Sequence, residues 1–190
     1  MRSDDVLQLF REKNAIHDGH FLLSSGLHSP KYMQTALLCQ YPDTAETLGK
    51  ALADKVKKFN VECVIAPAVG GLVIGHEIAR ALGVRFIFTE RVDGKMELRR
   101  GFEIKPGEKV LVADSVITTG GSPFEVVSVA KAKGADVVGC AVIVDRSNGQ
   151  FKPNGVPMIS LLQINIETFT PANCPMCKDK IPIVKPGSRK

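Results

Sequence analysis

Apolar and polar positions along the chain switch repeatedly between the period of a strand and the period of a helix. Short apolar runs predict buried strands, and stretches with apolar residues three to four positions apart predict helices between them. The predicted strands cover 61–66, 84–88, 110–114 and 136–144. The predicted helices cover 3–13, 42–59, 72–82 and 123–133. This alternation is typical of an α/β fold, so we expect a central, mostly parallel sheet flanked by helices.

Two stretches depart from this alternation. Residues 15–41 contain short strand-like pieces around Ser-Ser-Gly and Ser-Pro, which predict a small lobe beside the sheet. Residues 89–103 are highly charged and centred on Asp93-Gly94, a dipeptide that favours a hairpin turn. Such a segment is either a solvated hairpin or a mobile lid whose cations face an anionic substrate. The pattern leaves both interpretations open.

Length and composition fit one domain of 190 residues. The amino end lacks the features of a secretion signal and no apolar stretch is long enough to span a membrane, so we expect a cytoplasmic protein. The net charge of +5 comes from basic residues spread along the chain without interleaved aromatics. This distribution argues against nucleic-acid binding and favours a small polyanionic substrate. Cys39, Cys63 and Cys140 lie in apolar contexts that predict reduced, buried thiols.

Cys174 and Cys177 are the only cysteines paired by their spacing. A Cys-x-x-Cys pair supplies half of a structural zinc site, but a closed site needs four ligands, and the sequence shows no second pair. His17, His20 and His76 have no spacing that marks metal binding or catalysis. We therefore expect a packed turn or a redox-sensitive pair at these cysteines.

The most informative segment is 110–122, where a strand, a glycine-rich loop and a helix start follow one another. Residues 110–113 form an apolar run typical of a strand buried on both faces, and Asp114 and Ser115 bring polar groups to its carboxyl end, where open parallel sheets bind ligands. The following Thr-Thr-Gly-Gly-Ser supplies hydroxyl and backbone N–H donors at a helix N-terminus, which suits a phosphate. The plain alternative is a strand-turn-helix crossover without a ligand.

A second loop, 66–71, ends one buried strand and opens the next helix. Gly70 and Gly71 allow the backbone to approach an anion closely, although a tight packing turn would use the same residues. Two such loops on neighbouring strand ends fit a substrate with a phosphate at one end and a pyrophosphate at the other.

The order of these parts resembles the type I phosphoribosyltransferases, and the match extends over nearly the whole chain. Further stretches are similar to the orotate phosphoribosyltransferase family in its short bacterial and archaeal form: 19–21, 23–30, the charged segment, 145–147 and 185–189. The resemblance implies a type I phosphoribosyltransferase fold in a single domain, 1–190. It also implies a hood lobe from about 15–41 with the C-terminal segment, and a mobile loop at about 90–103.

The resemblance further implies a role for each matching residue. The segment that would bind phosphoribosyl pyrophosphate comprises Asp114, Ser115, Val116, Ile117, Thr118, Thr119, Gly120, Gly121 and Ser122. The pyrophosphate loop would comprise Ala68, Val69, Gly70 and Gly71. Thr118 and Arg146 would contact orotate, and the lid cations Lys95 and Arg91 would be catalytic.

The implied reaction transfers ribose 5-phosphate from phosphoribosyl pyrophosphate to orotate, giving orotidine 5'-monophosphate and pyrophosphate in pyrimidine nucleotide synthesis. The implied cofactor is Mg²⁺, bound mainly through the substrate, with no metal held by protein ligands. The implied assembly is a homodimer in which lid residues reach the neighbouring subunit's site. A phosphoribosyltransferase for another base, or a non-catalytic regulator that senses phosphoribosyl pyrophosphate, would use the same cradle.

The chain departs from the family pattern at two positions. The family usually has two adjacent acidic residues where this chain has Asp114 and Ser115, and a hydroxyl gives a weaker contact to ribose than a carboxylate does. Glu97 stands where many relatives carry a lid histidine, so we expect Arg99 or Arg100 to share the work of the lid.

Two further residues have a structural and a functional interpretation. Arg146 suits a carboxylate because its planar guanidinium can donate two parallel hydrogen bonds, and a surface ion pair with Asp145 is the alternative. His28 falls where some relatives place a basic residue near the pyrophosphate, but we expect a hydrogen-bonded structural histidine.

Overall fold

The computed structural model describes residues 1–23, 25–118, 121–147, 149 and 155–186. Its strands are β1 (Ile16–Leu22), β2 (His28–Met33), β3 (Cys63–Pro67), β4 (Arg85–Val92), β5 (Lys95–Leu98), β6 (Lys109–Ile117), β7 (Asp136–Asp145) and β8 (Met158–Gln163). Its α-helices are α1 (Ser3–Glu12), α2 (Ala36–Cys39), α3 (Pro42–Val56), α4 (Leu72–Leu82), α5 (Gly121–Ala132) and α6 (Pro175–Lys178). None of the described helices is long and apolar enough to cross a bilayer.

The main sheet has six strands in the order β5-β4-β3-β6-β7-β8. Every neighbouring pair in it is parallel except β4 and β5, which are antiparallel. The predicted mostly parallel sheet is therefore confirmed. β8 was not predicted, and neither were the four-residue helices α2 and α6, which are too short to show a period.

Helices cover both faces of this sheet, so alternate residues of one strand enter different layers of the core. Val64 and Ala66 of β3 pack in the cluster that includes residues of α1, α3 and α4. Cys63 and Ile65 of the same strand pack in the cluster that includes residues of α5. Burial on both faces explains the uninterrupted apolar runs in the strands.

The strands β1 and β2 form a separate antiparallel sheet, which we call the hood sheet. The C-terminal segment adds to both of its strands. Leu22 N donates to Val184 O at 2.9 Å, and Val184 N donates to His20 O at 2.8 Å. His28 and Phe169 exchange two backbone hydrogen bonds of 2.8 and 2.9 Å. Residues from the two ends of the chain thus form one small unit.

The charged segment forms an antiparallel hairpin from β4 and β5, as the sequence predicts. Its turn residues Asp93 and Gly94 both have positive φ, 47° and 80°, which is the geometry that makes this dipeptide favourable between two strands. Ala68 N donates to Thr89 O at 2.8 Å. The hairpin therefore begins beside the loop that follows β3.

Candidate active site

The loops that follow β3 and β6 meet because these strands are neighbours in the sheet. A Cβ atom on Gly70 would lie 3.6 Å from Ser115 Oγ and 3.8 Å from Asp114 Oδ1. A Cβ atom on Gly71 would lie 3.0 Å from Ala113 O and equally close to two further carbon atoms. Gly71 thus permits the loop after β3 to pack closely against β3 and β6, and Gly70 lies beside the polar residues of β6.

The predicted pyrophosphate loop is a tight turn at the start of α4. Gly71 N donates to Pro67 O at 3.1 Å, and Leu72 N donates to Val69 O at 3.2 Å. The peptide bond between Ala68 and Val69 is cis, and the Val69 side chain is 74% exposed. Val69 of this loop thus lies on the surface next to the end of β3.

The predicted phosphoribosyl segment begins inside β6, which continues to Ile117 and so ends three residues later than expected. The Ile117 side chain is buried in the core, so only its backbone can face a ligand. Val116 packs against the core as well, while Thr118 follows the strand and is half-buried. Thr119 and Gly120 lie outside the described residues. Gly121 and Ser122 form the first positions of α5.

A buried carboxylate lies within β6, three residues before the strand ends. Asp114 is buried, and its Oδ1 accepts a hydrogen bond of 2.7 Å from the N–H of Ser115. Burial, together with the carboxylates of Asp114 and Asp145, raises the pKa of Cys140. The Cys140 thiol therefore stays neutral and cannot serve as a nucleophile.

Arg146 follows β7 at the point where β7 pairs with the end of β6. Ile117 is the register partner of Asp145, and Arg146 N donates to Ile117 O at 2.8 Å, so Arg146 and Thr118 leave adjacent strand ends together. Burial lowers the pKa of the Arg146 guanidinium. Its Nε is buried without a hydrogen-bond partner in the part of the chain that the structure describes.

The expected alternative for Arg146, an ion pair with Asp145, is absent among the described ion pairs. Asp145 Oδ1 instead accepts hydrogen bonds from the backbone N–H and the hydroxyl of Ser147, at 2.7 and 2.6 Å. A buried guanidinium that has an unused donor and no described carboxylate partner is suited to an anionic ligand group.

The hood sheet contributes two neighbours of Arg146 that the sequence did not identify as site residues. Arg146 Nη2 donates to Ser29 Oγ at 3.2 Å, and Ser29 donates onward to Lys31 O at 2.7 Å. Burial raises the pKa of Tyr32, and the charge of nearby Arg146 opposes that rise. The only sequence signal was the Ser-Pro pair, which gave no indication that β2 faces the end of β7.

The predicted catalytic cations of the hairpin have different surroundings. Arg91 donates two hydrogen bonds to the carboxylate of Glu125, at 2.9 and 2.7 Å, and a third to Gly94 O. Lys95 is exposed on β5 and has no ion pair among the described residues. In this conformation, therefore, Lys95 is available to a ligand and Arg91 is engaged by Glu125 of α5.

The two arginines expected to assist the lid, Arg99 and Arg100, also differ in whether they are held by a carboxylate. Arg100 donates two hydrogen bonds of 2.8 Å to Glu90. Arg99 is exposed, and no ion pair of its side chain is found within the described ranges. Alternate residues at the end of the hairpin are exposed, namely Lys95, Glu97 and Arg99, whereas Met96 is buried. The exposed face therefore carries two available cations, Lys95 and Arg99.

Comparison with known proteins gives the family. Residues 40–172 match the model of the phosphoribosyl transferase domain. The chain is 48% identical to an orotate phosphoribosyltransferase of Caldanaerobacter subterraneus subsp. tengcongensis and 51% identical to one of Caldicellulosiruptor bescii, in both cases over 100% of each chain. A solved structure of orotate phosphoribosyltransferase from Aeropyrum pernix aligns with a TM-score of 0.69 at 24% identity, covering 83% of this chain and 93% of that one. That likeness supports the type I phosphoribosyltransferase fold. The chain belongs to the orotate phosphoribosyltransferase family.

Proposed function

We propose that the protein transfers ribose 5-phosphate from phosphoribosyl pyrophosphate to N1 of orotate, giving orotidine 5'-monophosphate and pyrophosphate, a step of pyrimidine nucleotide synthesis. The observation that carries this proposal is the buried guanidinium of Arg146 with its unused Nε donor, at a strand end next to the phosphate-type loop. Orotate differs from uracil by one carboxylate, which is the group that this guanidinium would bind.

The two loops would bind different parts of the sugar-phosphate substrate. The backbone N–H groups at the start of α5 and the hydroxyls of Thr118 and Ser122 would hold the 5'-phosphate, because a helix N-terminus favours an anion. Thr119, Gly120 and Gly121 would complete that loop. Asp114 and Ser115 would hold the ribose hydroxyls, and Ala68 to Gly71 would face the pyrophosphate, since Gly70 lies beside these two side chains.

The donor set at the end of β6 fits a magnesium ion held mainly by the substrate. Mg²⁺ prefers oxygen ligands and is often bound by one or two carboxylates together with substrate phosphates. Asp114 offers one buried carboxylate and Ser115 a hydroxyl, both close to Gly70 of the predicted pyrophosphate loop. When bound, the ion would neutralise negative charge on the pyrophosphate group.

The site would act by positioning and by stabilising charge, without a covalent intermediate. Breaking the bond between the sugar and the pyrophosphate leaves positive charge on the ribose and concentrates negative charge on the departing oxygens. Arg146 would fix the orotate ring with N1 facing the sugar, and Tyr32 and Ser29 would border the same space. Lys95 and Arg99 would meet the departing pyrophosphate when the hairpin closes, and Arg91 would join them after leaving Glu125.

We further propose that the active form is a cytoplasmic homodimer in which the hairpin of one subunit serves the site of the other. Buried Cys63 and half-buried Cys39 are free thiols, and burial raises the pKa of each to about 11, which suits a reducing compartment. The shared site is testable by mixing two inactive variants, Lys95→Ala and Arg146→Met. Hybrid dimers would contain one intact site each, so random exchange would restore about one quarter of wild-type activity. No recovery, with exchange verified by mass spectrometry, would place the hairpin in its own subunit's site.

The reaction itself is tested by measuring pyrophosphate release from phosphoribosyl pyrophosphate and Mg²⁺ with orotate, uracil or adenine as the acceptor. Orotate is expected to support turnover and uracil to be poorer by about 100-fold or more, since it lacks the carboxylate. Faster turnover with adenine or uracil would refute the assignment of the base. Binding of phosphoribosyl pyrophosphate without turnover on any base would indicate a regulator.

A further inference from the structure

The structure brings four potential metal ligands together at the junction between the hood sheet and the C-terminal segment. They are His20 of β1, His28 of β2, and Cys174 and Cys177 at the start of α6. Their ligand atoms all lie within 4.8 Å of one another. His20, His28 and Cys174 are buried, and Cys177 is exposed. The second ligand pair that the sequence did not reveal is therefore the histidine pair of the hood sheet.

The distances within this cluster are close to those around one tetrahedral zinc ion. With Zn–S of about 2.3 Å and Zn–N of about 2.0 Å, tetrahedral geometry separates a sulfur from a nitrogen by about 3.5 Å. Three of the four sulfur–nitrogen separations are 3.5 Å from Cys174 Sγ to His20 Nε2, 3.8 Å from Cys177 Sγ to His20 Nε2, and 3.4 Å from Cys177 Sγ to His28 Nδ1, and the fourth is within 4.8 Å. The two ring nitrogens are 2.8 Å apart and share a proton, so binding an ion would require them to separate by about 0.5 Å and the ring proton of His28 to lie on its other nitrogen, Nε2.

The hydrogen bonding of His20 already matches that of a metal ligand. Its Nδ1 lies 2.8 Å from the backbone carbonyl oxygen of Ile181. A carbonyl only accepts, so Nδ1 carries the proton and Nε2 presents its lone pair to the cluster. A zinc-binding histidine usually donates a hydrogen bond, often to a carbonyl oxygen, from the ring nitrogen that does not bind the metal. This contact is independent of the clustering of the four side chains.

We propose that His20 Nε2, His28 Nδ1 and the thiolates of Cys174 and Cys177 bind one structural zinc ion that fastens the C-terminal segment to the hood sheet. Two thiolates balance the charge of Zn²⁺, which allows the ion to be held at a mostly buried position. Four protein ligands close the coordination sphere, so the site is structural and not catalytic. The site goes beyond the proposed transferase reaction, in which no protein-held metal takes part.

The zinc site would also support the orotate site indirectly. Ser29, which accepts a hydrogen bond from Arg146, directly follows the ligand His28 on β2. Loss of zinc would loosen β2 and shift Ser29 and Tyr32, so the KM for orotate would rise more than the KM for phosphoribosyl pyrophosphate. His28 has a structural role in this arrangement, as the sequence analysis expected, and its ring faces His20 with a centroid distance of 4.8 Å.

The direct test is the zinc content of the wild-type protein, purified under reducing conditions without added metal or chelator, by plasma mass spectrometry. The expected result is about one zinc per chain. The Cys177→Ser variant changes an exposed residue and should fold, but its zinc affinity should be lower by about 10–100-fold or more. Cys39→Ser removes a half-buried thiol outside the cluster and is the matched control, with unchanged zinc content.

Two further measurements do not depend on activity. Replacing zinc by Co²⁺ should give the visible absorption of a tetrahedral cobalt ion with thiolate ligands, and Cys177→Ser should lose it while Cys39→Ser keeps it. Removing the metal should lower Tm by roughly 8–16 °C when the comparison holds zinc at a thousandfold excess over its Kd. The proposal is overturned if reduced wild-type protein neither contains nor takes up Zn²⁺ or Co²⁺, or if metal binding survives in a Cys174→Ser/Cys177→Ser variant.

Discussion

Replacing Arg146 by Met tests the assignment of the orotate site, because it removes the guanidinium while keeping most of the side-chain volume. Within the described residues, Nε has no hydrogen-bond partner and Nη2 donates to the hydroxyl of Ser29. Two donors can therefore pair with the orotate carboxylate. At about 1.5–2 kcal/mol for each charge-assisted hydrogen bond, their loss amounts to about 3–4 kcal/mol. Since 1.36 kcal/mol is a factor of ten, kcat/KM for orotate should fall about 100–1,000-fold.

The assay compares orotate with uracil for the wild type and the Arg146→Met variant, measuring pyrophosphate release. The substitution should leave the low kcat/KM for uracil within about threefold, because uracil has no carboxylate to lose. It should also leave Tm unchanged or slightly raised, since burial already disfavours the charged guanidinium in the free protein. A fall in Tm with equal losses for both bases would mean that Arg146 supports the fold, and our reasoning about its role would be wrong.

Four other substitutions give distinct expectations. Lys95→Ala should lower kcat by about 100-fold, as expected for the loss of one charge-stabilising donor. Arg91→Ala should lower kcat by less than about tenfold. If steady-state kinetics gave the reverse order, the assignment of the lid would be contradicted. Ser115→Asp should raise kcat/KM for phosphoribosyl pyrophosphate by about fivefold, since a hydrogen bond to a charged acceptor is stronger by about 1 kcal/mol than one to a hydroxyl. No gain would show that the hydroxyl of Ser115 suffices to bind the ribose. Arg85 lowers the pKa of Glu108 from its ordinary 4.5, so the pair stabilises the fold above pH 4.5 and this contribution is lost as the pH falls through the lowered pKa. Glu108→Gln should therefore lower Tm by about 2–4 °C at pH 7, with the difference shrinking below pH 4.5 in thermal melts; a constant difference would exclude this charge effect.

The main helices and strands could be predicted because their signals are local. Helix α4 was predicted at 72–82 and is observed there, since its apolar period ends at Gly83, whose φ of 71° suits a glycine after a helix. The Asp93-Gly94 turn was predicted for a similar reason, because the dipeptide itself favours positive φ. The extension of β6 to Ile117 was not predicted, since polar Asp114 and Ser115 interrupt the apolar run that marks the strand.

Parts of the site that depend on tertiary contacts could not be predicted. The phosphate-type loop and Arg146 were identified because each has a chemical signature in a few consecutive residues. The contact between Arg146 and Ser29 joins residues 117 positions apart, and it depends on where the hood sheet packs. The Cys-x-x-Cys pair was recognised as half of a zinc site, but its partners lie more than 140 positions earlier, where the pairing of β1 with β2 brings two histidines together.

The central claim is tested most directly by following the ultraviolet absorbance of orotate when the purified protein is mixed with phosphoribosyl pyrophosphate and Mg²⁺. The account predicts a time-dependent loss of orotate, matched mole for mole by pyrophosphate and orotidine 5'-monophosphate, and a rate that collapses in Arg146→Met. Orotate that stays unchanged while phosphoribosyl pyrophosphate binds, or consumption that is equally fast in Arg146→Met, would contradict it.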